Sequence, residues 1–380
     1  MAEALIRVSV SPGERRVALL CDGDLHLVAI ERPARRDGVG DLHRARVTAV
    51  SRPMSGAFLL LGEGAGGFLP ESETPDRKAL HEGAMLVVRL TRAAQGGKGP
   101  RASARLSSEE AAFAGTATGA GPALLRRGPE AALRFAALAP DAAVVTDSAA
   151  EAARLQRVLG DRVGLDRAGA FDDALEAEFD LLAGPEVPLP GGGRLTIHPT
   201  PALTAIDVDA GGHAGGADAE AQLRLNRLAV AEAARQIRLR QLAGAILLDV
   251  AGLAVKRREV LSAPLAAALE ADPLRPRLLG LTRLGLFEIQ RQRVHPPLHE
   301  VLGQPPSALT HGLAALRRAA REAAAMPGGA LALRAAPSVV AAVQAVPEAL
   351  AEYTADAGRA LRLLPDPALP PGREVLEPAR

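Results

Sequence analysis

Leu203-Thr204-Ala205-Ile206-Asp207-Val208-Asp209 and Gly244-Ala245-Ile246-Leu247-Leu248-Asp249 decide how this 380-residue chain reads. Each is a short apolar run that stops at a carboxylate, as a buried strand does when it reaches a sheet edge. The residues between them, Ala219 to Leu242, have the length and propensity of a helix of about six turns. If the two strands are neighbours, Asp207 and Asp249 meet at one edge. Buried carboxylates held together repel unless a cation or a proton compensates them, and a hard ion such as Mg²⁺ suits oxygen ligands. Either aspartate taken alone also fits as a cap on the loop or helix that follows.

Outward from this pair the chain alternates strand and helix. Arg194 to His198 reads as a strand entered from the turn Pro188-Leu189-Pro190-Gly191-Gly192-Gly193, and Gly211 to Gly216 as a flexible loop. Beyond Asp249 the pattern predicts a helix over 256–271, a strand over 277–282 and a helix over 286–293, closed by Pro296-Pro297. A last α/β module follows, with helix 308–325, strand 330–334, helices 339–346 and 347–353, and strand 361–364. Upstream, Val144 to Asp147 reads as a strand feeding helix 149–159. The N-terminus alternates as a β-meander over 4–10, 15–21 and 25–31. From Val39 to about Leu106, short glycine-punctuated strands predict a small closed barrel.

At 48% hydrophobic the chain has enough apolar content for a substantial core. Aromatics are only 2% of residues and Trp is absent, so Ala, Leu and Val must build that core, and an exposed Phe becomes informative. The net charge of +1 does not announce a nucleic-acid binder. Lys occurs only at 78, 98 and 256, and Arg supplies the other 42 of the 45 basic residues. Arg forks suit bidentate phosphate contacts, although a genome-wide compositional bias explains the same excess. The single cysteine, Cys21, excludes an intramolecular disulfide and a Cys-based zinc cluster within one chain. The N-terminus shows no secretory signal pattern, and no run reaches the roughly 18 apolar residues of a membrane span. A soluble cytoplasmic protein is the expectation.

Within the expected barrel, Ser55-Gly56-Ala57-Phe58 and Gly67-Phe68-Leu69-Pro70 place two aromatic rings on neighbouring strands. Exposed aromatics on such barrels stack bases, worth roughly 1–3 kcal/mol per base, while basic residues follow the phosphates. Gln95-Gly96-Gly97-Lys98-Gly99-Pro100-Arg101 supplies a cationic loop for the second role. It lacks the Gly-Lys-Ser/Thr ending of a nucleotide-triphosphate loop. The competing reading makes Phe58 and Phe68 core residues.

Together these segments resemble the ribonuclease E/G family of bacterial endoribonucleases. The resemblance is carried by Ile30-Glu31-Arg32, Val39-Gly40-Asp41, residues 94–101, residues 202–209, Ala233-Ala234-Arg235-Gln236-Ile237-Arg238-Leu239-Arg240, residues 246–249 and the run Arg283 to Arg293, in the family's order to about residue 300. It implies an α/β (α+β) multidomain fold. An RNase H-like domain (1–36 and 107–200) would be interrupted by an OB-fold RNA-binding barrel (37–106). A DNase I-like catalytic domain (201–300) and a small C-terminal α/β domain (301–380) would follow. The resemblance also implies hydrolysis of single-stranded RNA to 5′-phosphate and 3′-hydroxyl ends, in processing (rRNA included) or decay. Asp207 and Asp249 fall on its Mg²⁺-binding aspartates, and Asp209 on an asparagine that orients the phosphate or the attacking water. Phe58, Phe68, Lys98, Arg101, Arg235, Arg238, Arg240, Arg283 and Arg291 are the expected RNA contacts, each Arg also fitting as a plain surface charge.

Three departures qualify that picture. No Cys-Pro-x-Cys link occurs near Pro296-Pro297, so a zinc-linked dimer is excluded, although the C-terminal module leaves a homodimer open. His295 and His299 have helical spacing, but the intervening prolines break the helix that a shared metal would need. The 5′-monophosphate pocket has only Gly115-Thr116-Ala117-Thr118-Gly119 in its place. After Asp249 the chain reads Val250-Ala251-Gly252, with a glycine where the family has a carboxylate. Two other functions therefore stand beside the endoribonuclease: an RNA-binding adaptor with weak or lost cleavage, and a metal-dependent nuclease on DNA or short oligonucleotides.

Overall fold

The computed structural model describes residues 3–211, 219–326 and 329–379. The loop expected at 211–216 lies, apart from Gly211, outside the described residues. The chain forms two compact units, one comprising Arg36–Glu130 with Arg293–Pro296 and the other the remainder.

In the larger unit β1 (Ala4–Ser11), β2 (Glu14–Cys21) and β3 (Asp24–Glu31) form the expected meander. The smaller unit contains β4 (Leu42–Ser51), β5 (Gly56–Leu60), β6 (Gly66–Pro70), β7 (Met85–Arg92) and β8 (Arg101–Ser103). These run in the order β5-β6-β8-β7-β4, and a β4–β5 pairing closes the five-stranded barrel. Its interior is filled by Ala45, Val47, Ala57, Leu59, Leu61, Leu69, Val88, Leu90 and Ala102. Ala and Val mixed with Leu fit the crowded axis of so narrow a barrel. This unit extends beyond residue 106: α1 (Ser108–Thr116) opens with a capping box on Ser107 and Glu110, and β9 (Ala123–Arg126) pairs with β4.

Back in the larger unit, α2 (Ala131–Leu138), β10 (Ala143–Thr146), α3 (Ala149–Leu159) and β11 (Val163–Leu165) complete the first sheet in the order β11-β10-β1-β2-β3. One of its faces packs with α2 and α3, and the other with α4 (Asp173–Ala183). Burial on both sides accounts for near-continuous apolar strands such as Val17-Ala18-Leu19.

The second sheet carries the acidic strands. Its order is β12 (Glu186–Pro188), β13 (Arg194–Pro199), β14 (Thr204–Asp209), β15 (Gly244–Asp249), β17 (Phe287–Arg291) and β16 (Arg277–Leu281). The crossover from β14 to β15 is α5 (Ala219–Leu239), and α6 (Val255–Arg258) and α7 (Ser262–Leu269) follow β15. Helix α5 ends where Gln241 turns left-handed (φ 53°) and the Leu242 N–H bonds back to the Ile237 carbonyl at 3.0 Å. The segment 286–293, expected as a helix, is instead strand β17, antiparallel to β15. Its side chains alternate with period two, Phe287, Ile289 and Arg291 being buried while Glu288 and Gln290 face outward, which fits a half-buried strand and not a helix.

The C-terminal module has α8 (Leu298–Leu302), α9 (Ala308–Ala325), β18 (Leu331–Ala335), α10 (Pro337–Gln344), α11 (Pro347–Ala357), β19 (Arg362–Pro365) and β20 (Val375–Pro378). A buried ion cluster ties α9 to β2. Glu14, 2% exposed in its side chain, accepts from Arg16 Nε at 3.1 Å, Arg32 Nε at 3.0 Å and Arg317 Nη2 at 2.6 Å. Among the described residues no helix is long and apolar enough to cross a membrane.

Candidate active site

The acids stand where two parallel strands end. In β14, Ile206 and Val208 point into the core and Asp207 is exposed on the other face; in β15, Ile246 and Leu248 point inward and Asp249 is half-exposed. Asp207 and Asp249 are Cα partners in the parallel register, so pleating sends both carboxylates to the same face. Carboxyl ends of parallel strands are where open α/β sheets bind ligands. The condition on which the two acids meet, that their strands be neighbours, holds.

Each neighbouring group has a definite partner. Asp209 accepts from the Gly211 N–H at 2.9 Å and pairs with Arg194 Nη2 at 2.9 Å from the adjacent strand. Asp249 Oδ1 accepts from Arg258 Nη1 at 2.7 Å. The loop after Asp249 is clamped by Asn226 of α5, fully buried: its Nδ2 donates to the Ala251 carbonyl at 2.8 Å and its Oδ1 accepts from the Ala251 N–H at 3.0 Å. Gly252 has φ +62°, and a Cβ there would lie 2.7 Å from Gln222 Nε2. Glycine at 252 thus follows from backbone and space together. Asn226→Ala should strand both Ala251 backbone groups and cost about 1–3 kcal/mol of stability in denaturant titration.

Arg194, Asn226 and Arg258 were missed in the sequence. An isolated Asn inside a helix, or an Arg in a three-cation run such as Lys256-Arg257-Arg258, carries no signal of its partner.

Most of the expected arginine contacts are occupied by protein. Arg238 is buried with Nε on the His26 carbonyl at 2.9 Å. Arg240 is buried and bonds Gln236 Oε1 at 2.6 Å and the carbonyls of Gly184 and Leu181, and burial pushes its guanidinium down to about 10. Arg291 forms a buried pair with Asp272 at 2.7 Å. Arg235 joins Glu178 and Glu232. These four brace the crossover helix and the sheet through protein partners. Arg283 is exposed on the β16–β17 turn.

On the barrel, Phe58 and Phe68 are cross-strand partners with ring centroids 5.5 Å apart at 66°. Phe58 is 41% exposed and Phe68 half-buried, both pointing away from the packed interior. A Cβ at Gly56 would lie 2.5 Å from Phe68 Cζ, so that glycine makes room for the ring. Arg101 is the bridge partner of Phe68 on the next strand, and Arg92 lies opposite Arg101. Burial lowers the Arg92 guanidinium, as do the neighbouring charges of Arg101 and Arg293. Exposed Lys98 sits on the adjoining turn, where it bridges to Gln95. Nearby, His295 Nδ1 meets Asp37 Oδ2 at 2.6 Å.

A divalent ion fits the acids as a site completed by substrate. Among the described residues no group of three or more His, Cys, Asp or Glu is arranged to hold a metal. Mg²⁺, however, is commonly held by one or two carboxylates together with phosphate oxygens and water, and Asp207 with Asp249 supplies that number on an open face.

The sequence profile of the Ribonuclease E/G family matches residues 151–294, a span containing both acidic strands. Ribonuclease E of Synechocystis sp. is 40% identical over 123 residues, covering 32% of this chain and 18% of that protein. Ribonuclease E of Escherichia coli is 36% identical over 128 residues, covering 33% and 12%. The chloroplastic Ribonuclease E/G-like protein of Arabidopsis thaliana is 35% identical over 138 residues, covering 35% and 14%. The chain thus spans less than a fifth of the length of these relatives. Over residues 151–294, then, this chain is similar to the ribonuclease E/G family.

Proposed function

We propose that this protein is a divalent-cation-dependent endoribonuclease acting on single-stranded RNA. The observation that carries the reading is the register of Asp207 with Asp249 at the ends of adjacent parallel strands, inside the family-matched segment. In this reading the barrel is an OB-fold, the first sheet belongs to an RNase H-like domain and the acid-bearing sheet to a DNase I-like one.

Asp207 and Asp249 would hold Mg²⁺. When bound, the ion polarises the scissile phosphate and lowers the pKa of a water, supplying a nucleophile at neutral pH. Asp209, fixed by Arg194 and the Gly211 N–H, stands two residues along on the same strand face as Asp207 and accepts a hydrogen bond from the attacking water. Breaking the P–O3′ bond leaves 5′-phosphate and 3′-hydroxyl ends. Phe58 and Phe68 stack bases, while Arg101, Lys98 and Arg283 contact phosphates.

Products from a defined single-stranded RNA should accept nucleotides from a 3′-hydroxyl-dependent polymerase without phosphatase treatment. Products with 2′,3′-cyclic phosphate ends would exclude the mechanism. Phe58→Ala and Phe68→Ala should each weaken binding of a short single-stranded RNA by about tenfold, consistent with the loss of one stacked base, read by fluorescence anisotropy. One observation favours the non-cleaving adaptor: an arginine already occupies Asp249. An adaptor would bind the same RNA and yield no cation-dependent product.

A further inference from the structure

Asp249 already has a cationic partner within the chain. Arg258 directs Nη1 to Asp249 Oδ1 at 2.7 Å and to the Gly285 carbonyl at 3.0 Å, and its Nε to the Leu253 carbonyl at 3.0 Å. The Arg258 side chain is only 14% exposed, against 47% for Asp249. Its stem is also hemmed in: a Cβ at Gly285 would lie 3.3 Å from Arg258 Cδ, and Gly285 itself has φ +87°. Two backbone carbonyls, one in the loop after β15 and one in the β16–β17 turn, therefore aim a fixed guanidinium at the carboxylate oxygen.

We propose that Arg258 is the resident counter-ion of Asp249, a positioning residue that holds the carboxylate in place without a divalent ion and competes with that ion for it. The proposal rests on the reading of Asp207 and Asp249 as a cation site. It gives cation affinity a built-in ceiling, since the incoming ion must displace a positive charge that the fold anchors elsewhere.

A competitor and a mere brace predict opposite signs. Removing a competing charge tightens cation binding, whereas removing a brace lets Asp249 wander and weakens it. Ion pairs with one partner substantially exposed are worth up to about 1 kcal/mol, or about fivefold in affinity.

The experiment is a Mn²⁺ titration of the full chain followed by electron paramagnetic resonance, without RNA, on wild type, Arg258→Gln, Arg258→Lys and Asp207→Asn. Arg258→Gln should bind Mn²⁺ about fivefold more tightly, and Arg258→Lys, which keeps the charge, should bind as wild type does. Unchanged or weaker binding by Arg258→Gln, or equal tightening by Arg258→Lys, overturns the inference and leaves the acid pair a cation site. Wild-type binding no stronger than that of Asp207→Asn overturns both this inference and the reading beneath it.

Discussion

Asp207→Asn is expected to lower cation-dependent cleavage of single-stranded RNA by about a thousandfold or more, with RNA affinity in the absence of divalent ions nearly unchanged. Substituting the amide removes the negative charge that would hold the ion and leaves the shape of the strand end intact. The neighbouring register argues against a structural effect, because Asp207 is exposed while Ile206 and Val208 do the packing. A loss confined to kcat/KM for cleavage, with RNA binding preserved, is the pattern of a group used in the transition state. The measurement is single-turnover cleavage of end-labelled RNA beside anisotropy of the same RNA in chelator. Equal losses in both would move Asp207 from chemistry to folding.

Glu14→Ala should be the most damaging substitution away from the acids, destabilising the larger unit by about 3–5 kcal/mol, the scale for breaking a buried pair from one side. Arg16, Arg32 and Arg317 converge on this carboxylate, and all four side chains are 11% exposed or less. Burial alone would raise the Glu14 carboxyl, but the charges of Arg317, Arg16 and Arg32 together hold it below its ordinary value of 4.5. A carboxyl depressed in the folded state contributes stability that is fully present above pH 4.5 and is lost as pH falls through its folded value. Urea midpoints between pH 7 and pH 3 should therefore drop for wild type and flatten for Glu14→Gln. A Glu14→Gln variant whose midpoint falls as steeply as wild type would place the acid sensitivity elsewhere.

The acid pair was legible because its signal is local: an apolar run ending in Asp, twice, on either side of a long helical segment. Phe58 and Phe68 were legible for a related reason, alternation with Ala57 and Leu69 in a chain nearly devoid of aromatics. The protein partners of the arginines were not legible, because sequence shows a charge and not its partner. Arg238, Arg240 and Arg291 look like phosphate ligands until the backbone carbonyls and Asp272 that hold them are brought near by distant segments. Strand β17 was hidden by Leu284-Gly285-Leu286, which supports a helical reading until the turn built on Thr282 separates β16 from β17. There the Thr282 N–H bonds the Leu286 carbonyl at 2.8 Å and the Thr282 hydroxyl accepts from the Leu286 N–H at 3.0 Å. Glycine at 252 looked like a lost carboxylate, whereas φ +62° and the Gln222 amide give it a structural reason.

In the proposed function Asp249 and a divalent ion act together on RNA. Purified wild type and Asp249→Asn, incubated with the same 5′-labelled single-stranded RNA with and without Mg²⁺, test that directly. Discrete products are expected for wild type only with Mg²⁺, and none for Asp249→Asn under either condition. Cleavage by Asp249→Asn at the wild-type rate, or by wild type in chelator, would contradict it.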